Sequence, residues 1–408
     1  MLKLRSWILK SAMLAIFCVV LLMSFTGCQS SSGTNSSQSA APASGSQPAV
    51  SEQPAAQTEG EILIGVDAAL TGPSPLPGVR TKQGINLAVE EINKSGGVLG
   101  KNLKVIYEDD QATPNGAVNA VNKLISQDIV AMIGPHFSGN VMAVQAVMEK
   151  YQKPFLVGGT SPALLTANNP WLFRIRASDT FVSKITAKFA VEELKAKKVG
   201  MLYDNDAYGT GARDVATEYL KSINIPLFCE GFNTGDKDMT GQLIKMKNNG
   251  IECLIIWSHD AESAIAAKQA KQLNLNIPII GNPGFVSDIV LNLMDASTSD
   301  GIYTITDFTP TNPDERVQKF VSAFKEKYSV TPELYAAGYY DATCVLADSI
   351  ERAGSTDPEK IRQALLATKD FKGVMSTLSS NEKGEMVHEA IIAQIKDKNV
   401  QMIKVIRE

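Results

Sequence analysis

The sequence predicts an α/β protein of two lobes, and three features of its order carry that prediction. From Glu61 onward, short apolar runs of strand length alternate with stretches of helical period. That is the pattern of βα units, whose parallel strands form a sheet with helices on both faces. The pattern restarts near Ala177-Ser178-Asp179, which splits it into two series. After a strand at 302–306, three helical stretches follow in succession and the chain closes on two strand-like runs.

Taken in order, residues 62–66 form a first strand, and Ile85, Ala88, Val89 and Ile92 share one face of the helix after it. Residues 103–107 form the next strand. Val118, Val121 and Ile125 mark a second helix, and Val141, Val144, Met148 and Tyr151 a third. Continuous apolar runs at 129–133 and 155–157 read as buried strands. In the second series a helix carries Val182, Ile185 and Phe189. Strands follow at 198–203, 227–229, 253–257 and 278–280, with helices beginning near Tyr208, Met239 and Ala261. The late helices carry Val317, Phe320, Val321, Phe324 and Tyr328; Tyr339, Val345, Leu346 and Ile350; and Ile361 and Leu365. Strand-like runs at 389–395 and 400–406 end the chain.

The first residues read as a targeting segment. Lys3, Arg5 and Lys10 precede an apolar run at 13–25, which is short for a membrane span of roughly 20 residues and has signal-peptide flanks. Ser24-Phe25-Thr26-Gly27-Cys28 resembles a bacterial lipoprotein signal, with residues 1–27 removed and Cys28 lipidated. Phe25 stands where an aliphatic residue is more usual, and an ordinary secretory signal is the alternative. Residues 28–60 are rich in Ser, Ala, Gln, Gly and Pro, with only Glu52 and Glu59 charged, which suits a flexible tether. A net charge of −4 leaves no footprint for nucleic acid. Beyond Cys18 and Cys28, the sequence holds Cys229, Cys253 and Cys344. Their spacing is not of a metal type, and free thiols are expected.

The motifs exclude most chemistry. His136, His259 and His388 have no metalloprotease spacing, and neither a Walker A sequence nor a GxSxG elbow is present. The Gly209-Thr210-Gly211 turn lacks the third glycine of a dinucleotide site, since Asp214 stands there. No catalyst, cofactor or metal site is expected. What remains are polar residues at strand ends, the edge where an open α/β sheet binds small ligands. Ser138 and Thr160-Ser161 each follow an apolar run and a Gly. A helix N-terminus there suits a carboxylate, although Ser138 could equally be a plain helix cap. Tyr208 follows Asp204-Asn205-Asp206, and Asp260, in Ser258-His259-Asp260, reads as a ligand group or an N-cap.

In order and spacing, a set of motifs resembles the extracytoplasmic solute-binding proteins of the branched-chain amino acid type, which serve ABC transporters. They are Leu70-Thr71-Gly72-Pro73; GINLAVEEIN at 84–93, leading into Ser95-Gly96-Gly97; Tyr107-Glu108-Asp109-Asp110; Ile133-Gly134-Pro135 before Ser138; Thr160-Ser161-Pro162; and Tyr340-Asp341-Ala342. The resemblance implies a bilobal type I periplasmic-binding-protein-like fold. In it, two doubly wound parallel sheets are joined by a three-strand hinge with crossings near Ser178, Thr306 and Glu389. The N-terminal lobe would then comprise 61–178 plus 307–388, and the C-terminal lobe 179–306 plus 389–408. It further implies a monomer, lipid-anchored outside the cytoplasm, that closes on a branched-chain or other small hydrophobic amino acid and delivers it to permease subunits. A sensor domain serving a separate receptor is the alternative from another class. Carried over by position, Ser138 holds the ligand α-carboxylate, and Gly158, Gly159 and Thr160 bind carboxylate and amine. Tyr208 and His259 or Asp260 come from the second lobe. Two positions depart from the family pattern. Pro283 stands near the usual acid for the ammonium, so either Asp260 or Asp206 replaces it, or the ligand lacks an α-amine and is an aromatic or short-chain acid or an amide. Leu76 stands where an aromatic lid residue is common.

Overall fold

The computed structural model describes residues 60–166 and 168–407. The expected signal segment, Cys28 and almost all of the tether lie outside the described residues. The first series comprises β1 (Glu61–Ala68), α1 (Pro75–Lys94), β2 (Asn102–Asp109), α2 (Pro114–Ile125), β3 (Ala131–Ile133), α3 (Ser138–Tyr151), β4 (Phe155–Val157) and β5 (Leu172–Arg174). Its five strands lie parallel in the order β2-β1-β3-β4-β5. All residues of β3, β4 and β5 are buried, which is why β3 and β4 are apolar throughout rather than alternating. Strand β5 has no clear boundary in the sequence, because Arg174 interrupts its apolar run at a buried position.

The second series runs α4 (Asp179–Glu192), β6 (Val199–Asp204), α5 (Ala207–Ser222), β7 (Leu227–Phe232), α6 (Thr240–Asn248), β8 (Cys253–Trp257), α7 (Asp260–Gln272), β9 (Ile279–Gly281), α8 (Asp288–Leu293), α9 (Ala296–Ser299) and β10 (Tyr303–Thr306). Then come α10 (Glu315–Tyr328), α11 (Leu334–Ala353), α12 (Pro358–Leu366), the short strands β11 (Phe371–Lys372), β12 (Thr377–Ser380) and β13 (Met386–Val387), and finally β14 (Glu389–Lys396) and β15 (Asn399–Arg407). The second sheet has the order β15-β14-β10-β9-β8-β6-β7.

This second sheet corrects the expectation of two parallel sheets. Strand β14 pairs antiparallel with β10, and β15 antiparallel with β14. The turn between β14 and β15 accounts for the second of these pairs: Asp397 and Lys398 both take positive φ, of 49° and 60°. So tight a link joins only antiparallel neighbours, whereas a parallel pair needs a long crossover.

Tyr339, Ala342, Val345, Leu346 and Ile350 of α11 bury against Ile62, Ile64 and Val66 of β1, so the late helices cover the first sheet. Ala212, Ala216 and Leu220 of α5 pack against β6 and β8 in the second. Three extended segments pass between the two lobes, and they are tied together. The Arg176 guanidinium donates from Nε and Nη2 to Asp307 at 2.5 and 2.7 Å, and Ala177 N donates to the same carboxylate. On the third segment, His388 Nε2 hydrogen-bonds Ile175 O at 2.7 Å. Cys229, Cys253 and Cys344 are free thiols. Cys229 and Cys253 lie on β7 and β8, which flank β6 on opposite sides.

Candidate functional site

Where the carboxyl ends of the two sheets face each other, the lobes enclose a cavity of about 50 Å³. The first wall is built by β3 and β4. The chain leaves β3 through Gly134 to Phe137, which takes the N-cap position of α3 with extended backbone. Ser138 is therefore the first helical residue rather than the cap, and its side chain does not cap its own helix. Its Oγ instead accepts a hydrogen bond from Ser161 N at 3.2 Å, so the hydroxyl of this cavity-lining residue keeps a proton to donate. The first backbone N–H groups of α3 have no partner within the helix, as at any helix start.

Gly158 and Thr160 line the same wall, and Gly159 does not. A Cβ on Gly159 would come within 2.7 Å of Leu164 and 3.2 Å of the Ser138 Cα, so this glycine lets β4 lie against the start of α3. Thr160 Oγ1 donates to Asp179 Oδ2 at 2.8 Å, so its proton is already engaged and its oxygen can only accept. Burial pushes the Asp179 carboxyl up to about 7, and its Oδ1 has no hydrogen-bond partner.

The second wall comes from the starts of α5 and α7 and from the turn after β9. Asp206 caps α5, its Oδ1 accepting from Tyr208 N and Gly209 N at 3.0 and 2.9 Å. Its Oδ2 meets His259 Nε2 at 2.9 Å. Burial works against the charge on His259, but the Asp206 bond overcomes it and pushes the imidazole up to about 9. His259 and Asp206 thus form an internal ion pair. His259 also occupies the N-cap position of α7, so Asp260 is not the cap.

Asp260 is buried, and its Oδ1 accepts from the Tyr335 hydroxyl at 3.0 Å. Its Oδ2 is buried without a partner. Burial raises the carboxyl to about 6, only partly offset by Tyr335 and the His259 charge. Pro283 sits in a short 3₁₀ turn spanning Pro283–Val286, and Asn282 Oδ1 caps that turn by accepting from Gly284 N.

Contacts between the walls hold the cleft closed. The Phe137 ring stands edge-on to His259 at 5.3 Å, and the Tyr335 hydroxyl reaches Asp260 across the cleft; Tyr208 stacks on His259 at 5.6 Å within the second wall. Further out, Arg80 Nη2 reaches Asp288 Oδ2 at 2.8 Å. Leu76 is 49 % exposed on the first turn of α1 and does not line the cavity.

Six of the seven ligand contacts expected from the sequence therefore line one cavity, Ser138, Gly158, Thr160, Tyr208, His259 and Asp260, and Pro283 lines it with them. Sequence reasoning passed over His136, Phe137, Arg176, Asn282 and Tyr335, which line it too. His136 and Phe137 share a loop with Ser138 and were within reach of a motif reading. Arg176 and Tyr335 enter from the hinge and from α11, and nothing in their local sequence marks them.

Two α/β lobes, a hinge of three crossing segments and a closed polar cavity between the sheet ends define a substrate-binding protein of the clamp type. The periplasmic binding protein family matches residues 61–399, and the chain belongs to it. Several of the proteins it resembles are substrate-binding proteins for branched-chain amino acids. It is 28% identical over 331 residues to the leucine-, isoleucine-, valine-, threonine- and alanine-binding protein of Pseudomonas aeruginosa, covering 80% of this chain and 87% of that one. A leucine-binding protein from Thermotoga maritima superposes with a TM-score of 0.80 at 26% identity, covering 85% and 99% of the two chains. The branched-chain amino acid transporter substrate-binding protein of Streptococcus pneumoniae, in complex with isoleucine, gives a TM-score of 0.79 at 27% identity, covering 85% and 100%. Periplasmic binding proteins work outside the cytoplasm, and no helix among the described residues is long and apolar enough to cross a membrane.

Proposed function

We propose that the cleft captures a small α-amino acid and hands it to an ABC permease. The observation that carries this reading is the unpartnered, buried Asp260 Oδ2 on one wall, opposite a helix N-terminus and a free serine proton on the other. The α3 N-terminus and Ser138 receive the carboxylate, with Gly158 and Thr160 beside them. Asp260 receives the ammonium. A buried carboxylate with an empty acceptor is costly unless a cation or donor completes it. Asp206 does not serve this purpose, because its two oxygens are taken by the α5 cap and by His259. Gly284 supports the assignment, since a Cβ there would lie 3.0 Å from Asp260 Oδ1. A side chain from the turn at 283–284 and that of Asp260 thus aim at one place, and the glycine leaves it to Asp260.

The moving bodies in this reading are 61–178 plus 307–388 and 179–306 plus 389–408, turning on the segments joined through Asp307 and His388. Lipidation of Cys28 and the tether at 28–60 keep this monomeric clamp at the membrane beside its permease, with no catalytic turnover. A thermal-shift screen tests the ligand class, because stabilisation follows ligand concentration over dissociation constant. Amino acids should raise the melting temperature, and the matching acids without the α-amine should not. Stabilisation by the des-amino acids alone would overturn the reading. Fractionation of cells carrying Cys28→Ala tests the anchor: the variant should leave the membrane fraction, and retention there would contradict it.

A further inference from the structure

Arg176 belongs at once to the hinge and to the ligand cavity. It is 3% exposed, and it binds Asp307 side-on through Nε and Nη2 at 2.5 and 2.7 Å. In that geometry the third nitrogen, Nη1, points away from the carboxylate. Among the described residues no protein acceptor takes it. A planar guanidinium offers donors in fixed directions, so the leftover donor is an oriented one. Close by, the half-buried His136 turns Nδ1 toward the Tyr339 hydroxyl at 3.4 Å, while burial and the Arg176 charge hold the imidazole neutral. Phe137, Pro283 and Leu334 are the few apolar side chains in a lining otherwise made of glycines and polar or ionisable groups.

We infer that Arg176 reads the ligand side chain, selecting a small α-amino acid whose side chain ends in a hydroxyl or carboxamide oxygen over a branched aliphatic one. This rests on the amino-acid reading above and narrows it. A neutral acceptor fits better than a charged group. Asp307 already cancels the guanidinium charge, so a side-chain carboxylate would meet Asp307 and Asp260 with little net attraction. A side-chain cation would face Arg176 itself. An aliphatic side chain would bury Nη1 with no acceptor, and a buried donor left unsatisfied is expensive. That asymmetry lets a polar site reject an isostere lacking the polar atom far better than an apolar pocket rejects an added hydroxyl.

Two nearly isosteric pairs test the inference by calorimetry on the full chain, stripped of ligand by reversible unfolding: threonine against valine, and asparagine against leucine. In the wild type the polar member of each pair should bind about tenfold or more tightly. In Arg176→Met/Asp307→Leu, which removes both charges together, the preference should fall to within about twofold or reverse. The wild-type comparison decides the ligand class even if that variant does not fold. Tighter binding of valine and leucine to the wild type overturns the inference and leaves the amino-acid reading standing. A polar preference that persists in the double variant overturns the role of Arg176. Binding of des-amino acids but of none of the four amino acids overturns both readings at once.

Discussion

The two walls of the cleft meet a ligand by different means. The first wall uses backbone N–H groups, a glycine and the Ser138 hydroxyl, while the Thr160 hydroxyl is spent on Asp179, a carboxyl behind the wall that burial raises to about 7. The second wall is ionic: a closed His259–Asp206 pair and beside it Asp260, with one oxygen occupied and one empty. A wall of hydroxyls and dipoles can hold any carboxylate. A wall with a single open carboxylate oxygen asks for a cation, and that difference turns a general acid-binding cleft into one for amino acids.

Substitution at Asp260 breaks the comparison most sharply. Asp260→Asn keeps the volume and an acceptor for Tyr335 but removes the charge. Truncating a buried charge pair costs about 2–5 kcal/mol, so amino-acid affinity should fall at least about 30-fold by calorimetry. Affinity for the matching acid without an amine should hold or rise. Equal loss for both ligands would show that Asp260 acts only through folding.

Ser138→Ala attacks the other wall and should weaken amino acids and des-amino acids alike. A hydrogen bond to a charged group is worth about 1.5–3 kcal/mol, so the loss should be about tenfold or more. Unchanged affinity in a folded Ser138→Ala protein would remove Ser138 from the site.

Acid separates the walls without a mutation. Asp260 has a carboxyl raised to about 6, and only its ionised form pairs with an ammonium. The Asp260 contribution to amino-acid affinity should therefore decline below pH 6, by up to about tenfold per pH unit, on top of any slope from Asp179, which is raised to about 7 behind Thr160. His259, pushed up to about 9, stays protonated throughout that window and contributes no slope. In Asp260→Asn the decline below pH 6 should shrink to whatever Asp179 contributes, and an unchanged slope there would remove Asp260 as its source.

The smallest effect belongs to the rim. Arg80→Ala removes the ion pair to Asp288 that bridges α1 and α8. Partly exposed pairs are worth about 0–1 kcal/mol. Affinities measured by calorimetry should drop by no more than about fivefold, and by the same factor for every ligand. A ligand-dependent change would place Arg80 inside the binding site.

The same contrast explains what could be read from the sequence. Wall one follows from local order: an apolar strand, a glycine, a hydroxyl and a helix start lie within a few residues, so Ser138 and Thr160 stand out. Even there Phe137, not Ser138, takes the cap position, because the cap depends on backbone angles that composition does not specify. Wall two is a matter of partners. Asp206 and Asp260 look equivalent in sequence, and only the fold gives one of them His259 and leaves the other with an empty oxygen. Arg176 was invisible because its meaning depends on Asp307, 131 residues away. The parallel strands were legible from their uniformly apolar runs, whereas the β14–β15 hairpin turned on two positive φ angles at Asp397 and Lys398.

The most direct test is a crystal structure of the protein with the ligand that copurifies with it. The account predicts a ligand carboxylate at the α3 N-terminus, within hydrogen-bond distance of the Ser138 hydroxyl, and an ammonium on Asp260 Oδ2. A ligand lying in the opposite sense, or one that leaves Asp260 Oδ2 without a donor, would contradict it.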